Sequence, residues 1–422
     1  MKNKIRSIIN LKAEKGAVSA LVLFTVLMFV VILMGVYLTI TAKQKAQIKS
    51  DMRIEQIYAQ DVNNIDNVYS KIINRVENFK SLGEYANEET ILVDKYKNKI
   101  VVPKGFKIAE DSGINVTEGI VIEDNDIING IGNNRGNQYV WIPVGKGIKK
   151  ADGSIVDIIL GRYTFANGTS DKASDGTTVL AKGTPILQQS AESYTQEVVI
   201  GSYFKELATY RQGKASSGLD GLNTTSRGKQ KADGTYEGIK SFIDSVKANG
   251  GYYIARYEAS YGIDGKANSK ISNTYTDSTT APTTRAEGML WNHITQIDAA
   301  TASRDLYTTA TTDLINSYAW DTAIVYIQNF SGDIDYSYQN SKNTTLSNTG
   351  VNKDEVCKIN DMASNNLEWT TEYATFTDSY GAYPCVRRGG YYDDSNYWVN
   401  GRSDNMATHR YKYITFRSTL YM

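Results

Sequence analysis

The chain has 422 residues with 46 basic against 46 acidic side chains, so no global field draws it to nucleic acid, and no block of five or six Lys/Arg appears. That length suits a membrane segment with one large or two ordinary domains. Five prolines exclude a Pro-rich stalk, two cysteines exclude a disulfide framework, and 30 tyrosines against 10 phenylalanines tilt the chain toward amphipathic aromatics.

Residues 1–16 form a basic segment with Lys2, Lys4, Arg6, Lys12 and Lys15 against Glu14. Ala17 to Ala42 carries no charge. At about 1.5 Å per residue it reaches ~39 Å as a helix, enough to cross a bilayer with some tilt. The flanking charges predict a cytoplasmic amino terminus and an extracellular remainder, against a counter-signal from Lys43, Lys45, Lys49 and Arg53. Over 43–82, Tyr58, Val62, Ile65, Tyr69, Ile72, Val76 and Phe79 recur alternately four and three apart. That stripe predicts a helical stalk, one able to self-associate. A membrane helix continuing into an amphipathic one resembles type IV pilins and pseudopilins. Lys15-Gly16 is similar to a prepilin cleavage site, although Leu21 stands where pilins carry Glu. An uncleaved signal anchor and a minor pilin both remain readings of this end.

Past Gly83 the pattern changes. Ile100 to Ile108 reads as strand, turn and strand around Pro103-Lys104-Gly105. Gly119 to Ile122 is a further apolar segment, and Gly136 to Val144 is a strand after a Gly/Asn turn. Lys146 to Gly234, rich in Gly, Ser, Thr and Lys, predicts long surface loops with one short helix near Ser202 to Tyr210. Tyr236 to Lys247 places Ile239, Phe242, Ile243 and Val246 on one helical face, closed by Asn249-Gly250. Gly251 to Glu258 is a strand and Asn268 to Arg285 a Ser/Thr-rich loop. Ile294 to Leu306 and Ser317 to Ile327 are helices, the second capped by Asn316 or Ser317. The class predicted for this region is α+β.

The last 60 residues are the most informative. Thirteen of the 23 residues from Tyr391 to Tyr413 are Tyr, Asn, Asp or Ser. Tyr supplies stiff amphipathic contact area and the small polar residues supply adaptable hydrogen bonds. This marks Tyr391, Tyr392, Asp393, Asp394, Asn396, Tyr397, Asn400, Asp404, Asn405, His409 and Tyr411 as binding candidates. The alternative is a solvated polar loop over a sheet.

Six short motifs occur in order: Val140-Trp141-Ile142-Pro143, Arg256-Tyr257-Glu258, Trp320-Asp321, then Asn365 with Glu368-Trp369-Thr370, Arg388-Gly389-Gly390-Tyr391-Tyr392, and Phe416-Arg417. In this order they resemble the sulfatase-modifying-factor family, which includes the formylglycine-generating enzyme. The resemblance covers roughly 99–422 and implies a C-type-lectin-like fold for a head domain spanning 95–422. It also makes Asn365 and Glu368 candidate calcium ligands, although Ser364 replaces the glycine of the family motif; apart from that ion no cofactor is expected. The oxidase of that family uses a cysteine pair just after RGG; here Asp393, Asp394 and Val399 occupy that stretch, and no cysteine follows Cys385. An oxidoreductase is therefore the lesser reading. Within the family the chain most resembles the variable proteins of diversity-generating retroelements, which use the fold as a display frame. Their changeable positions lie between RGG and the terminal strand. Trp398, Met406 and Lys412 lie outside the codon drift of such proteins and would be frame positions.

Arg388 and Arg417 could contact ligand or pair with internal carboxylates. His293 reads as a helix-start packing residue, and Trp141, Trp320 and Trp369 as core. Cys357 and Cys385 are either one bridge or two free thiols. Together these readings predict a non-catalytic, membrane-anchored surface protein whose C-terminal loops bind an external protein or glycan.

Overall fold

The computed structural model describes residues 27–28, 84–124, 136–194, 198–201, 203–206, 228–340, 345–351, 354–394 and 396–422. The basic segment 1–16, the predicted membrane span 17–42 (apart from Leu27 and Met28) and the heptad stripe of 43–82 lie outside them. Among the described residues no helix is long and apolar enough to cross a membrane. Asn78–Met422 forms one compact unit. Its first strand, Thr90–Val93, pairs with Lys99–Val102, so ordered structure begins before residue 95.

The unit is β-rich with three α-helices among the described residues: α1 (Ile239–Asn249), α2 (Gln296–Ser303) and α3 (Ser317–Ser331). α1 buries Ile239, Phe242, Ile243 and Val246 and ends on left-handed Gly250, as the sequence pattern requires. α2 starts on Thr295, whose side chain accepts from the Asp298 N–H. α3 starts on Asn316, whose side chain accepts from the Ala319 N–H at 2.9 Å.

Two sheets organise the unit. The six-stranded sheet is antiparallel and runs Thr311–Leu314, Ser418–Tyr421, Gly251–Ala255, Gln138–Pro143, Val121–Asp124, Phe106–Ile108. The Val-Trp-Ile-Pro strand thus lies beside Gly251–Ala255, which lies beside the terminal strand; Arg256-Tyr257-Glu258 follow that strand as bends, so the strand expected over Gly251 to Glu258 ends three residues early. The larger apolar cluster fills this sheet and α1 and α3, with Trp141 and Trp320 fully buried.

The second sheet runs Phe204–Lys205, Leu367–Ala374, Cys385–Arg388, Arg402–Asn405, with Ile414–Phe416 parallel to the start of Leu367–Ala374. A second apolar cluster holds Trp369, Cys385, Ile414 and Phe416.

The helix expected near Ser202 to Tyr210 is not what the described part of that stretch forms: Phe204–Lys205 is a strand paired with Tyr373 and Ala374. Tyr203 and Phe204 are held by ring contacts, Tyr203 against Phe376 at 5.2 Å, and edge pairing wins over helical propensity. The loops expected over 146–234 contain two hairpins, Gly145–Lys149 with Ile155–Ile158 and Gly161–Phe165 with Pro185–Ser190. Cys357 and Cys385 are free thiols set in different apolar clusters, so the bridge is not formed.

Candidate binding surface

The motifs meet in a buried ion-pair network. On α3, Asp321 receives Arg388 at 2.5 Å and Arg402 at 2.5 Å. Glu372 receives Arg162 at 2.6 Å, Arg402 at 2.7 Å and Arg388 at 3.2 Å. All five side chains are almost completely shielded from water. Burial pushes the Glu372 carboxyl up, but Arg402, Arg162 and Arg388 outweigh it and hold it down at about 2. Glu206 extends the network, accepting from Ser317 N–H and Thr371 Oγ1 at 2.8 Å each. Burial raises its carboxyl to about 7 against the pull of Arg162.

A second cluster surrounds Arg417, whose guanidinium forks onto both oxygens of Glu368 at 2.6 and 2.5 Å. Nearby, Glu258 accepts from Asn365 Nδ2 at 2.5 Å and from the Asn366 N–H at 2.9 Å. Asp361 accepts from Thr349 Oγ1 and the Gly350 N–H, each at 2.6 Å. Burial raises Asp361 to about 7, with the charge of Asp354 adding to it, and burial, with Asp361 and Glu368 adding to it, holds the Glu258 carboxyl well above the usual carboxylate range. The guanidiniums of Arg388 and Arg417 both lie within about 6 Å of the Trp320 ring centre, at 5.7 and 6.0 Å, so that ring joins the two clusters. The Trp320 Nε1–H donates to the Val399 carbonyl at 2.9 Å. Arg388 and Arg417 are thus internal partners of carboxylates rather than open ligand contacts.

The RGG glycines are needed for this closure. Gly389 sits at φ 95°, and a Cβ there would lie 3.1 Å from the Met362 carbonyl oxygen. A Cβ on Gly390 would lie 2.2 Å from the Ala363 carbonyl oxygen, so any side chain there must push that backbone aside.

Asn365 and Glu368 do not fit a calcium ion as they stand. Arg417 occupies both Glu368 oxygens, and Asn365 Oδ1 accepts from the Ser347 N–H at 3.0 Å. Among the described residues no group of three or more His, Cys, Asp or Glu is placed to hold a metal ion.

The 391–413 segment is not one loop. Arg402–Asn405 is a strand paired with Cys385–Arg388, and Val399 is buried. Two candidates fall out of a surface for that reason. Asn405, 5% exposed, ends this strand and bonds the Met406 N–H and His409 Nδ1. Tyr392, 7% exposed, packs with Leu290 and Leu346 and donates to Asp277 at 3.2 Å. The others reach water. Asp393, Asn396 and Tyr411 are exposed, and Tyr391, Asp394, Tyr397, Asn400, Asp404 and His409 are half-buried.

These remaining rings form a cluster. Tyr391 meets Tyr397 at 5.5 Å and Tyr413 at 5.1 Å; Tyr411 stacks on Tyr413 at 5.1 Å and 15°; His409 meets Tyr411 at 4.9 Å. The backbone beneath is tied down: Asn340 Nδ2 donates to the Asp394 and Tyr397 carbonyls at 3.1 and 2.8 Å, and the His293 N–H donates to the Tyr411 carbonyl at 3.0 Å. His293 is buried packing, as expected, with its ring against the Ser278 carbonyl.

Four residues and one hairpin of this arrangement carried no motif in the sequence. Arg162, Arg402 and Glu372 complete the frame, and Arg387 underlies the rings, within 6 Å of Tyr397 and Tyr413 at 5.6 and 5.7 Å. The hairpin Thr377–Asp378 with Gly381–Ala382 presents Tyr380, 83% exposed. It adjoins the patch through Phe376 and Tyr203, whose hydroxyl donates to Asp404 at 3.2 Å. Its residues, Thr-Phe-Thr-Asp-Ser-Tyr-Gly-Ala-Tyr from 375 to 383, mix tyrosines with short polar residues as 391–413 does, which was the available signal.

No protein-family model matches the chain, and no curated protein matches it. Solved structures with weak likeness include one titled as the crystal structure of CarF: 13% identity, 50% of this chain and 96% of that one, TM-score 0.32. Another is the Treponema denticola variable protein 1: 11% identity, 68% of this chain and 96% of that one, TM-score 0.24. At these scores neither likeness carries an assignment.

Proposed function

We propose that the chain is a membrane-anchored surface protein with a C-type-lectin-like frame that binds an external protein or glycan without catalysis. The observation that carries this reading is the tyrosine cluster of Tyr391, Tyr397, Tyr411 and Tyr413, open to water on one side and fixed on an ion-paired sheet on the other. Rigid aromatics with short polar neighbours bind with little loss of conformational freedom. The six ordered motifs support the lectin-like frame, because their residues form the contacts that hold it closed: Arg388 with Asp321, Arg417 with Glu368, Glu258 with Asn365. Outward display follows from the uncharged stretch Ala17 to Ala42 and the basic residues before it.

Both thiols support the non-catalytic reading. Burial pushes Cys357 up to about 12 and Cys385 higher, so neither is a thiolate at neutral pH.

The test is a screen of the full chain against an array of extracellular protein domains and glycans. A bound partner should lose about tenfold or more in affinity to a Tyr391→Ala/Tyr411→Ala variant that melts like the parent. Partners that bind this variant as well as the parent would refute the assigned surface.

A further inference from the structure

Among the described residues, Arg387 is a frame-strand arginine with no carboxylate facing it. Its neighbour Arg388 faces Asp321 and Glu372, and Arg162, Arg256, Arg304, Arg402 and Arg417 each have a carboxylate within 3.0 Å. Successive strand residues point to opposite faces, so Arg387 is turned to the tyrosine side. It is only 9% exposed. Its Nε donates to Ser403 Oγ at 3.3 Å and its Nη2 to the Tyr397 hydroxyl at 3.5 Å. Its Nη1 is buried without a hydrogen-bond partner. A guanidinium offers five donors, and here most are unused. A buried cation without a counter-charge is expensive to keep.

The surroundings repeat this imbalance. Arg285, half-buried, reaches only the Asn292 and His293 carbonyls, at 2.6 and 3.4 Å, and its Nη1 is also without a partner. Asn292 and His293 in turn bond the Lys412 and Tyr411 carbonyls. Arg410 is exposed beside them. Asp393 and Asp394 lie close enough to Tyr391 to act on its hydroxyl. Those acids repel a polyanion, while the cationic side attracts a single local negative charge. Tyr411 and Tyr413 stack on each other, so part of their ring surface is not free to carry a sugar.

We infer that Arg387 is the anchor for one carboxylate of the ligand, an Asp or Glu side chain of a protein partner, received between Tyr397 and Tyr413. This deepens the proposed function and rests on it. The carboxylate accepts from Nη1 and Nη2, replacing the long Tyr397 contact, and the two half-buried rings turn aside to admit it. Side-chain rotations of this size are ordinary at interfaces. A bidentate guanidinium–carboxylate pair in a place screened from water is a strong and directional contact.

The test is selection of a random phage-displayed peptide library on the full chain. Enriched peptides should share one acidic position, and changing that residue from Glu to Gln should weaken binding about tenfold. The same change should have no effect on binding to an Arg387→Gln chain, whereas Arg387→Lys should keep part of the discrimination. Thermal melts of both variants check that they fold. Enriched peptides without a shared acid, an equal Glu-to-Gln loss on Arg387→Gln, or no enrichment at all would overturn the inference. A sialylated trisaccharide that binds through Arg387 while no peptide does would move the carboxylate to a sugar and also overturn it. Peptides that bind Tyr391→Ala/Tyr411→Ala undiminished would instead sink the proposed surface itself, which keeps the two failures apart.

Discussion

Arg387 and Arg388 are adjacent on one strand, yet one region is saturated with counter-charges and the other is not. Around Arg388, three guanidiniums and two carboxylates close on each other within 3.2 Å. Around Arg387 there are tyrosine rings, two long hydrogen bonds and a donor with no partner. The lesson is a division of labour. The frame spends its polar groups on itself and becomes intolerant of change. The patch leaves polar groups open and so tolerates change while remaining able to bind.

The largest break in this comparison should come from Arg417→Ala. It strands Glu368 beside Glu258 and Asp361 with no cation, and removing one partner of a buried pair costs about 3–5 kcal/mol; a urea melt would read it. Gly390→Ala should follow, at about 1–3 kcal/mol, because the new methyl must displace the Ala363 carbonyl.

The frame should also respond to pH in a defined direction. Asp361 and Glu206, both raised to about 7, hold protons in the folded chain that the unfolded chain releases. Their contribution to stability is therefore lost as pH rises from about 4 to 7. Glu372, held at about 2, works the other way, and its contribution is lost as pH falls below about 4.5. The melting temperature should peak between about pH 4 and 5 and decline toward pH 8. Asp361→Asn keeps an acceptor for Thr349 and tolerates the φ of 63°, so it should flatten the decline. An unchanged decline would mean that Asp361 is not its source.

The smallest effect on stability belongs to the patch. Tyr411→Ala should change unfolding free energy by less than ~1 kcal/mol. The same change should cost about 2 kcal/mol in binding of a selected peptide, the reverse of the frame variants.

Much of the frame was legible because its signals are local. The helical stripe of α1, the Asn316 cap of α3 and the motif pairs Trp320-Asp321 and Arg388-Gly389-Gly390 are short-range patterns. What stayed hidden depends on distant partners. Arg162 meets Glu372 across 210 residues, and nothing in Gly161–Phe165 announces that partner. Arg402 sits within a polar run and reads as loop, yet it pairs with two buried acids. Tyr392 and Asn405 have the composition of their neighbours, and only strand pairing and packing decide that they turn inward. Composition located the patch; it could not say which of its side chains face water.

The most direct measurement is equilibrium unfolding of a chain with Asp393, Asn396, Tyr397, Asn400 and Tyr411 all changed to Ser, set beside Arg388→Ala alone. The patch variant should keep one cooperative transition within about 2 kcal/mol of the parent while losing the selected peptide, and Arg388→Ala should unfold far more readily. A patch variant that loses its transition, or that is destabilised as much as Arg388→Ala, would contradict the division between frame and surface.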